Sequence, residues 1–357
     1  MIEKNHLHNG IRILGSLAAL VIIIAGINLA QSVVVLFLVS FFLALLGTPP
    51  VLWLKEKRIP SGFAVAIVMI VMITIVILIG VQIGESLSSF SNELPLLQSR
   101  IREEVVGLCT SLRLKGIIIT DKFFLDYIKP EAIMKLTTGL LSGLGSVLSD
   151  LVLILLTVTF ILLEISNFPI KLRAILGDPK QVFPQFTKFA FDMKRYMIIK
   201  TSINLCAGII IGIWMYILGV QYPVLWGFLA FLLHYIPNIG AIIAAIPAAL
   251  MALVQLGIAK ALLVCGGNLL VGFIIGNVIE PRLMGRKLGL STLVVFLSLI
   301  FWGSVLGLIG AILCIPLTMT LKFAFEENES TKWIAVLLGS EKFVDLSKPK
   351  LTTKEKL

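Results

Sequence analysis

Long uninterrupted apolar runs follow one another along this chain, separated by short segments rich in lysine, arginine, glycine or proline. Such runs exceed any ordinary strand and match the ~20 residues a helix needs to cross a ~30 Å hydrocarbon core, so the pattern predicts an all-α integral membrane protein. The first run covers Ile11 to Ala30 and the second Val33 to Trp53, with Gly47, Thr48, Pro49 and Pro50 predicted to break its end. Further crossings are expected over Gly62 to Gly84, Val147 to Ile165, Thr201 to Leu218 and Ala261 to Ile279.

Two other apolar stretches are interrupted. Pro223 to Gln255 is broken by Ile236-Pro237-Asn238-Ile239-Gly240, which leaves arms of about 15 residues, or about 22 Å as helix, short of the core. Short arms around such a break suggest a re-entrant hairpin, which is tolerated at depth only under protein or beside a wet cavity. Leu288 to Leu321 is broken around Trp302-Gly303 and Gly307 to Gly310, and by the same measure forms a second hairpin. Two full crossings in place of each hairpin would leave every loop on the same side, so loop charge alone does not separate the two readings.

Composition agrees with the pattern: 58% of residues are apolar and 14% charged, with a mean hydropathy of +1.03, far from the balance of soluble domains. The net charge of +10 would suit nucleic acid, but its distribution does not. Basic residues gather between the apolar runs, at Lys55, Lys57 and Arg58, over Lys171 to Lys200, and at Arg282, Arg286 and Lys287. Cytoplasmic loops carry that excess, so both termini are expected in the cytoplasm and the bilayer, not nucleic acid, is the partner of the charge. Ile11 to Ala30 lacks a clear small-residue cleavage site and leads straight into the second run, which argues against a cleavable signal.

Residues 85–146 differ, with seven Lys/Arg balancing seven Asp/Glu and no run long enough to span. Within them Leu94, Leu97, Ile101, Val105 and Leu108 recur at intervals of three and four, marking one apolar helix face. An amphipathic helical arm outside the bilayer is expected, lying on the protein or the interface, or joining subunits.

A repeat organises the second half. The pattern NLxxGxIIG occurs at Asn204 to Gly212 and again at Asn268 to Gly276; IGAIIAAIP at Ile239 to Pro247 is answered by IGAILCIP at Ile309 to Pro316. One unit, 201–256, would cross outward and add a hairpin from outside; the other, 261–321, would cross inward and add one from inside. This is the inverted-topology repeat of many secondary transporters, in which broken helices carry the solute site. Asn204 and Asn268 have two readings, an interhelical hydrogen bond or a solute contact, while Gly208, Gly212, Gly272 and Gly276 would let helices approach closely.

Ionisable groups at membrane depth are few. Glu164 and Glu280 sit at cytoplasmic ends of spans, read either as interfacial ion pairs, Glu280 with Arg282, or as carriers of a proton or sodium ion. His234 precedes the first break and titrates near neutral pH when unperturbed. Lys200, at the inner start of its span, is expected to snorkel. Asn204, Asn238, Asn268, Asn277, Glu280 and His234 are the candidate polar pathway, and Pro237, Gly240, Pro247, Gly303, Gly307, Gly310 and Pro316 the expected shapers of the helix breaks. Cys109, Cys206, Cys265 and Cys314 are scattered without metal-ligand spacing. No phosphate loop, zinc motif or nucleophile-base pair occurs, so neither an enzyme nor a cofactor is expected.

These motifs together resemble the AI-2E family of bacterial membrane proteins. The resemblance rests on Pro49/Pro50 followed by Lys55 to Pro60, Glu93-Leu94-Pro95, the Tyr196 region, His234 to Gly240, Asn277-Val278-Ile279-Glu280-Pro281-Arg282-Leu283-Met284-Gly285, and the glycine run from Gly307 to Pro316. One departure is Leu290-Ser291-Thr292, where relatives often carry a His-Pro pair. The resemblance implies about eight membrane segments in the bacterial inner membrane, a homo-oligomer, and export of a small signalling molecule in some members or sodium/proton antiport in others. The expected organisation is three transmembrane helices over 1–84, an extracytoplasmic segment over 85–146, a transport core over 147–321 and a cytoplasmic tail over 322–357. A gradient-driven exporter of a small polar solute leads; a sodium/proton antiporter, a passive pore and a structural assembly protein are the alternatives.

Overall fold

The computed structural model describes residues 15, 18–19, 21–114, 130–176, 184–284, 290–327 and 330–339, and for 91–114, 130–134, 144, 148, 166–176, 184–185 and 284 the backbone alone. Gly285, Arg286, Lys287 and the tail beyond 339 lie outside the described residues, as do the side chains of Leu94, Leu97, Ile101, Val105 and Leu108 and of Cys109. The described residues are helical throughout, without a strand. We number the helices α1 (residues 21–29), α2 (Gln31–Glu56), α3 (Ser61–Leu114), α4 (Pro130–Ser149), α5 (Leu151–Leu176), α6 (Pro184–Leu218), α7 (Pro223–Leu233) and α8 (Gly240–Leu256). Then come α9 (Ile258–Ile274), a π-helical turn (Ile275–Ile279), α10 (Glu280–Met284), α11 (Thr292–Ile312), α12 (Cys314–Glu326) and α13 (Lys332–Leu338). Among the described residues, five segments are by length and composition alone apolar enough to cross a membrane: Gln31–Glu56, Ser61–Phe90, Phe186–Leu218, Ile258–Leu283 and Thr292–Ile312. Lys135–Val147 and Leu151–Ile165, bent by 53° at their junction, pass the same test as a pair.

Several expectations are corrected. Helix α2 does not end at Gly47–Pro50 but runs through both prolines to Glu56. Packing overrides the missing N–H groups here: Gly47, Thr48 and Val51 are buried, and a Cβ at Gly47 would already stand 3.2 Å from Leu162 of α5. The Thr48 hydroxyl donates to the Ala44 carbonyl at 2.8 Å. Nor does the third crossing end at Gly84, because α3 is continuous over 54 residues, about 80 Å at 1.5 Å per residue. Span and arm are therefore one helix. Thr137, Leu140 and Leu141 of α4 are buried, the two leucines within the main core. The basic stretch Lys171 to Lys200, expected as a loop, is largely helical: α5 reaches Leu176 and α6 begins at Pro184.

Both interrupted stretches are hairpins of helix, formed in the same way. In the first, α7 and α8 are joined by the turn His234–Ile239. In the second the break falls at Gly307 (φ 65°, ψ −147°), inside α11, rather than at Trp302-Gly303. Residues eight apart in a straight helix are separated by about 12 Å, yet a Cβ at Gly310 would collide with the Trp302 carbonyl oxygen, so the chain doubles back here. The Trp302 indole N–H then donates to the Thr318 hydroxyl at 3.1 Å across the hairpin. Gly240 does the same for the first hairpin, where a Cβ would collide with the Leu233 carbonyl. Gly240 and Gly310 hold equivalent places in the two IGAI motifs. Pro247 lies within an unbroken α8, and Pro316 in the first turn of α12, where a proline needs no donor.

The two turns lie toward opposite ends of the helices. The Tyr235 and Thr201 hydroxyls are 2.5 Å apart, which places the first turn beside Lys200 at the start of the apolar part of α6. At the second, the Asn28 amide donates to the Val305 carbonyl at 3.3 Å, and the Gln31 amide adjoins Gly307. Helices α2 and α3 run antiparallel with Gly47 against Met72, which sets Ala30 level with Phe90. Phe90 in turn lies edge-on against Trp226, ring centroids 5.3 Å apart, near the start of α7 and away from its turn.

Candidate functional site

A cleft of about 440 Å³ opens at the first turn. Its polar lining comes from three elements: Lys200 of α6, His234 and Asn238 of the turn, and Asn277 and Glu280 at the end of the α9 crossing. Gly240, Gly272 and Gly276 line it as well, the absence of side chains helping to keep it open. A π-helical turn over Ile275–Ile279 carries Asn277 into this lining. Single π turns inside α-helices are uncommon and gather at functional sites, because the wider ring re-aims side chains and loosens the backbone ladder.

Lys200 and Glu280 are the charged centre. The Lys200 ammonium donates to Glu280 Oε2 at 2.8 Å, from side chains only 4% and 21% exposed. Two predictions are corrected: Lys200 does not snorkel, and Glu280 pairs with it rather than with Arg282. A lysine on the buried face of a packed helix has no route for its stem to the interface, so a carboxylate must come to it. Both partners line the cleft, and Glu280 is the more open of the two. Glu164, midway along α5, does not line this cleft.

His234 shows its tautomer through its partner. Nδ1 stands 2.7 Å from the Ala230 carbonyl oxygen, which accepts only, so Nδ1 carries the hydrogen. In the neutral ring Nε2 is then an acceptor, and it is buried without a partner among the described residues. Asn238 adopts φ 62°, a conformation asparagine tolerates better than most residues. The Ile239 N–H donates to the Pro237 carbonyl at 2.7 Å, closing a tight turn around it. The Asn277 amide donates to Phe273 O at 3.2 Å, leaving its own oxygen available.

The asparagines of the repeat lie elsewhere. Asn204 is fully buried, one helical turn beyond Lys200, with neither amide atom partnered among the described residues. Asn268, 1% exposed, donates to the Val264 carbonyl at 2.9 Å within its own helix. Neither lines the cleft. The glycines beside them differ as well. A Cβ at Gly208 would stand 2.7 Å from the Gly227 carbonyl and one at Gly212 3.5 Å from that of Pro223, so α6 and α7 touch by their backbones. Gly272 abuts Ala241 of α8, while Gly276 meets open space. Gly303 and Gly307 belong to the second turn, beside which Gly143 of α4 meets Leu308.

Sequence reading did not bring Lys200 to Glu280, 80 residues away. A signal existed: Lys200 is the last charge before the uncharged stretch Thr201 to Ala259, and Glu280 the first carboxylate after it. Thr201 and Tyr235, which tie the turn to α6, carried no signal of their own.

Comparison with known proteins gives these features a family. The AI-2 transport protein TqsA of Escherichia coli (strain K12) is 39% identical over 331 residues, covering 93% of this chain and 96% of that protein. The putative transport protein YhhT of the same strain is 35% identical over 92% of this chain and 95% of its own length. A putative transport protein of Haemophilus influenzae is 34% identical over 92% and 96%. The family model described as AI-2E family transporter matches residues 17–329, and with relatives covered almost end to end the chain belongs to the AI-2E family of membrane transport proteins.

Proposed function

We propose that this protein is a secondary transporter that exports a small polar solute, of the autoinducer-2 kind handled by its relative TqsA, across the bacterial inner membrane at the expense of an ion gradient. In this reading the two helical hairpins are re-entrant and belong to an inverted repeat over 201–256 and 261–321. The first turn gates the cytoplasmic face and the second the outer face. The observation that carries the reading is the polar cleft at the first turn with a buried ion pair in its wall. Paired at 2.8 Å, Lys200 and Glu280 cancel, so the cleft offers donors and acceptors without net charge, which suits an uncharged polar solute.

Sodium/proton exchange is the second reading, and one feature favours it: the carboxylate is the more exposed partner, so a cation or proton reaching it through the cleft competes with Lys200. Proteoliposomes loaded with a pH-sensitive dye separate the readings. Proton flux evoked by an autoinducer-like polyol, and lost in Glu280→Gln, supports solute export. Flux evoked by sodium alone supports exchange. Solute equilibration indifferent to any gradient would overturn both and leave a passive pore.

A further inference from the structure

We infer that the end of α2 and the groove between α2 and α3 form a binding site for an anionic phospholipid of the leaflet facing Lys55, Lys57 and Arg58. The groove, about 350 Å³, is lined almost wholly by apolar groups, among them Leu46, Pro50, Trp53, Ile67 and Val71. It opens on a face where Trp53, Ile67 and Val71 are exposed, so an acyl chain can enter from the side. Trp53 stands at its end with the Lys57 ammonium 3.8 Å above its ring, the amphipathic arrangement of a membrane interface.

The rim is basic, and its backbone is held at a cost. Helix α2 closes with the Ile59 N–H donating to the Leu54 carbonyl at 3.3 Å and the Arg58 N–H to that of Lys55 at 2.9 Å. That is a Schellman closure, and its left-handed position is ordinarily glycine. Here Arg58 occupies it at φ 67°. Glycine would close the helix with less strain, so what arginine adds is its guanidinium, a planar donor set matched to phosphate oxygens. The closure also occupies the carbonyls of Trp53, Leu54 and Lys55, which would otherwise repel an anion. Among the described residues Lys55, Lys57 and Arg58 form no ion pair. An apolar slot whose end carries Trp53 under Lys57, on a Lys55–Arg58 segment where three cations outnumber the single carboxylate Glu56, is complementary to one acyl chain and one phosphodiester, and a neutral lipid would leave the excess charge unmatched.

The test uses the full chain in vesicles and reads Trp53 fluorescence as the difference between the protein and its Trp53→Phe variant, which removes the other four tryptophans from the signal. Phosphatidylglycerol brominated on its acyl chains is compared with equally brominated phosphatidylcholine in the same mixed bilayer. The site requires Trp53 to be quenched at a several-fold lower share of phosphatidylglycerol than of phosphatidylcholine. Lys55→Gln and Arg58→Gly should each reduce that preference by about fivefold at low salt. Arg58→Gly is the sharper variant, because relief of the left-handed arginine keeps thermal stability equal or higher while the preference falls. Equal quenching by the two lipids would reduce the groove to ordinary boundary lipid and overturn the proposal. Quenching by neither would show protein covering the groove, from a second copy or another segment, and would overturn it as well. An Arg58→Gly protein that keeps the full preference would remove the guanidinium from the site.

Discussion

Glu280 and Lys200 answer to folding and, in the proposed reading, to transport as well, and substitution separates the two demands. Glu280→Gln leaves an ammonium buried without its counter-charge, and breaking a buried pair this way costs about 3–5 kcal/mol. Thermal unfolding in detergent should register that loss. Lys200→Met combined with Glu280→Leu removes both charges at similar volume and should restore stability, yet solute flux should stay absent; a double variant that transports would confine the pair to a structural role. Asn204 offers the opposite contrast. Its unpartnered buried amide is a liability for folding, so Asn204→Leu is expected to raise stability by about 1 kcal/mol while lowering flux, with Asn268→Leu, which loses only a contact within its own helix, milder on flux. Unchanged flux in Asn204→Leu would take the residue out of the pathway. The sequence exposed Glu280 and His234 as ionisable groups in apolar surroundings, because that signal is local. It misread Lys200, because depth along one helix says nothing about which residue of another helix meets it.

At the level of elements, the helices and both hairpins could be read from apolar run length and from the Pro-Asn-Gly and glycine-rich interruptions. Their boundaries followed packing instead. Pro49 and Pro50 look like terminators, but just before them Gly47 packs against Met72 of α3 and Leu162 of α5, and α2 continues. The second break was expected near Trp302-Gly303, yet the positive φ fell to Gly307, since several glycines lay within reach and only contacts across the turn choose among them. Gly240 and Gly310 are more telling than either break, because their place in the two IGAI motifs and their geometry agree: each gives way to a backbone carbonyl that cannot swing aside. Gly240→Ala and Gly310→Ala should each cost about 1–3 kcal/mol by overpacking, seen as lower unfolding temperatures and faster proteolysis at the turns. Gly276→Ala, which meets open space, should be neutral by both measures, and a Gly310→Ala protein as stable as its parent would break the equivalence of the two hairpins.

Across the whole molecule, the two turns lie toward opposite ends of one helical body, and a transporter needs two gates in that relation, never open together. The pairing of the Asn28 amide with Val305 at the second turn was invisible in the sequence, since 277 residues separate them. Sidedness can be read directly. With Cys109, Cys206, Cys265 and Cys314 replaced, Asn238→Cys and Ser304→Cys place single thiols at exposed positions of the two turns. An impermeant maleimide should reach Asn238→Cys from the cytoplasmic side and Ser304→Cys from the outer side. Transported solute should then move the two rates in opposite directions, because a solute that stabilises one open face must close the other. Asn28→Ala, which frees the Val305 carbonyl from its donor, should speed labelling at Ser304→Cys and slow it at Asn238→Cys without solute. Two rates that rise together would describe a channel opening at both ends, and two rates blind to solute would confine the hairpins to scaffolding; only the reciprocal change fits gates that alternate.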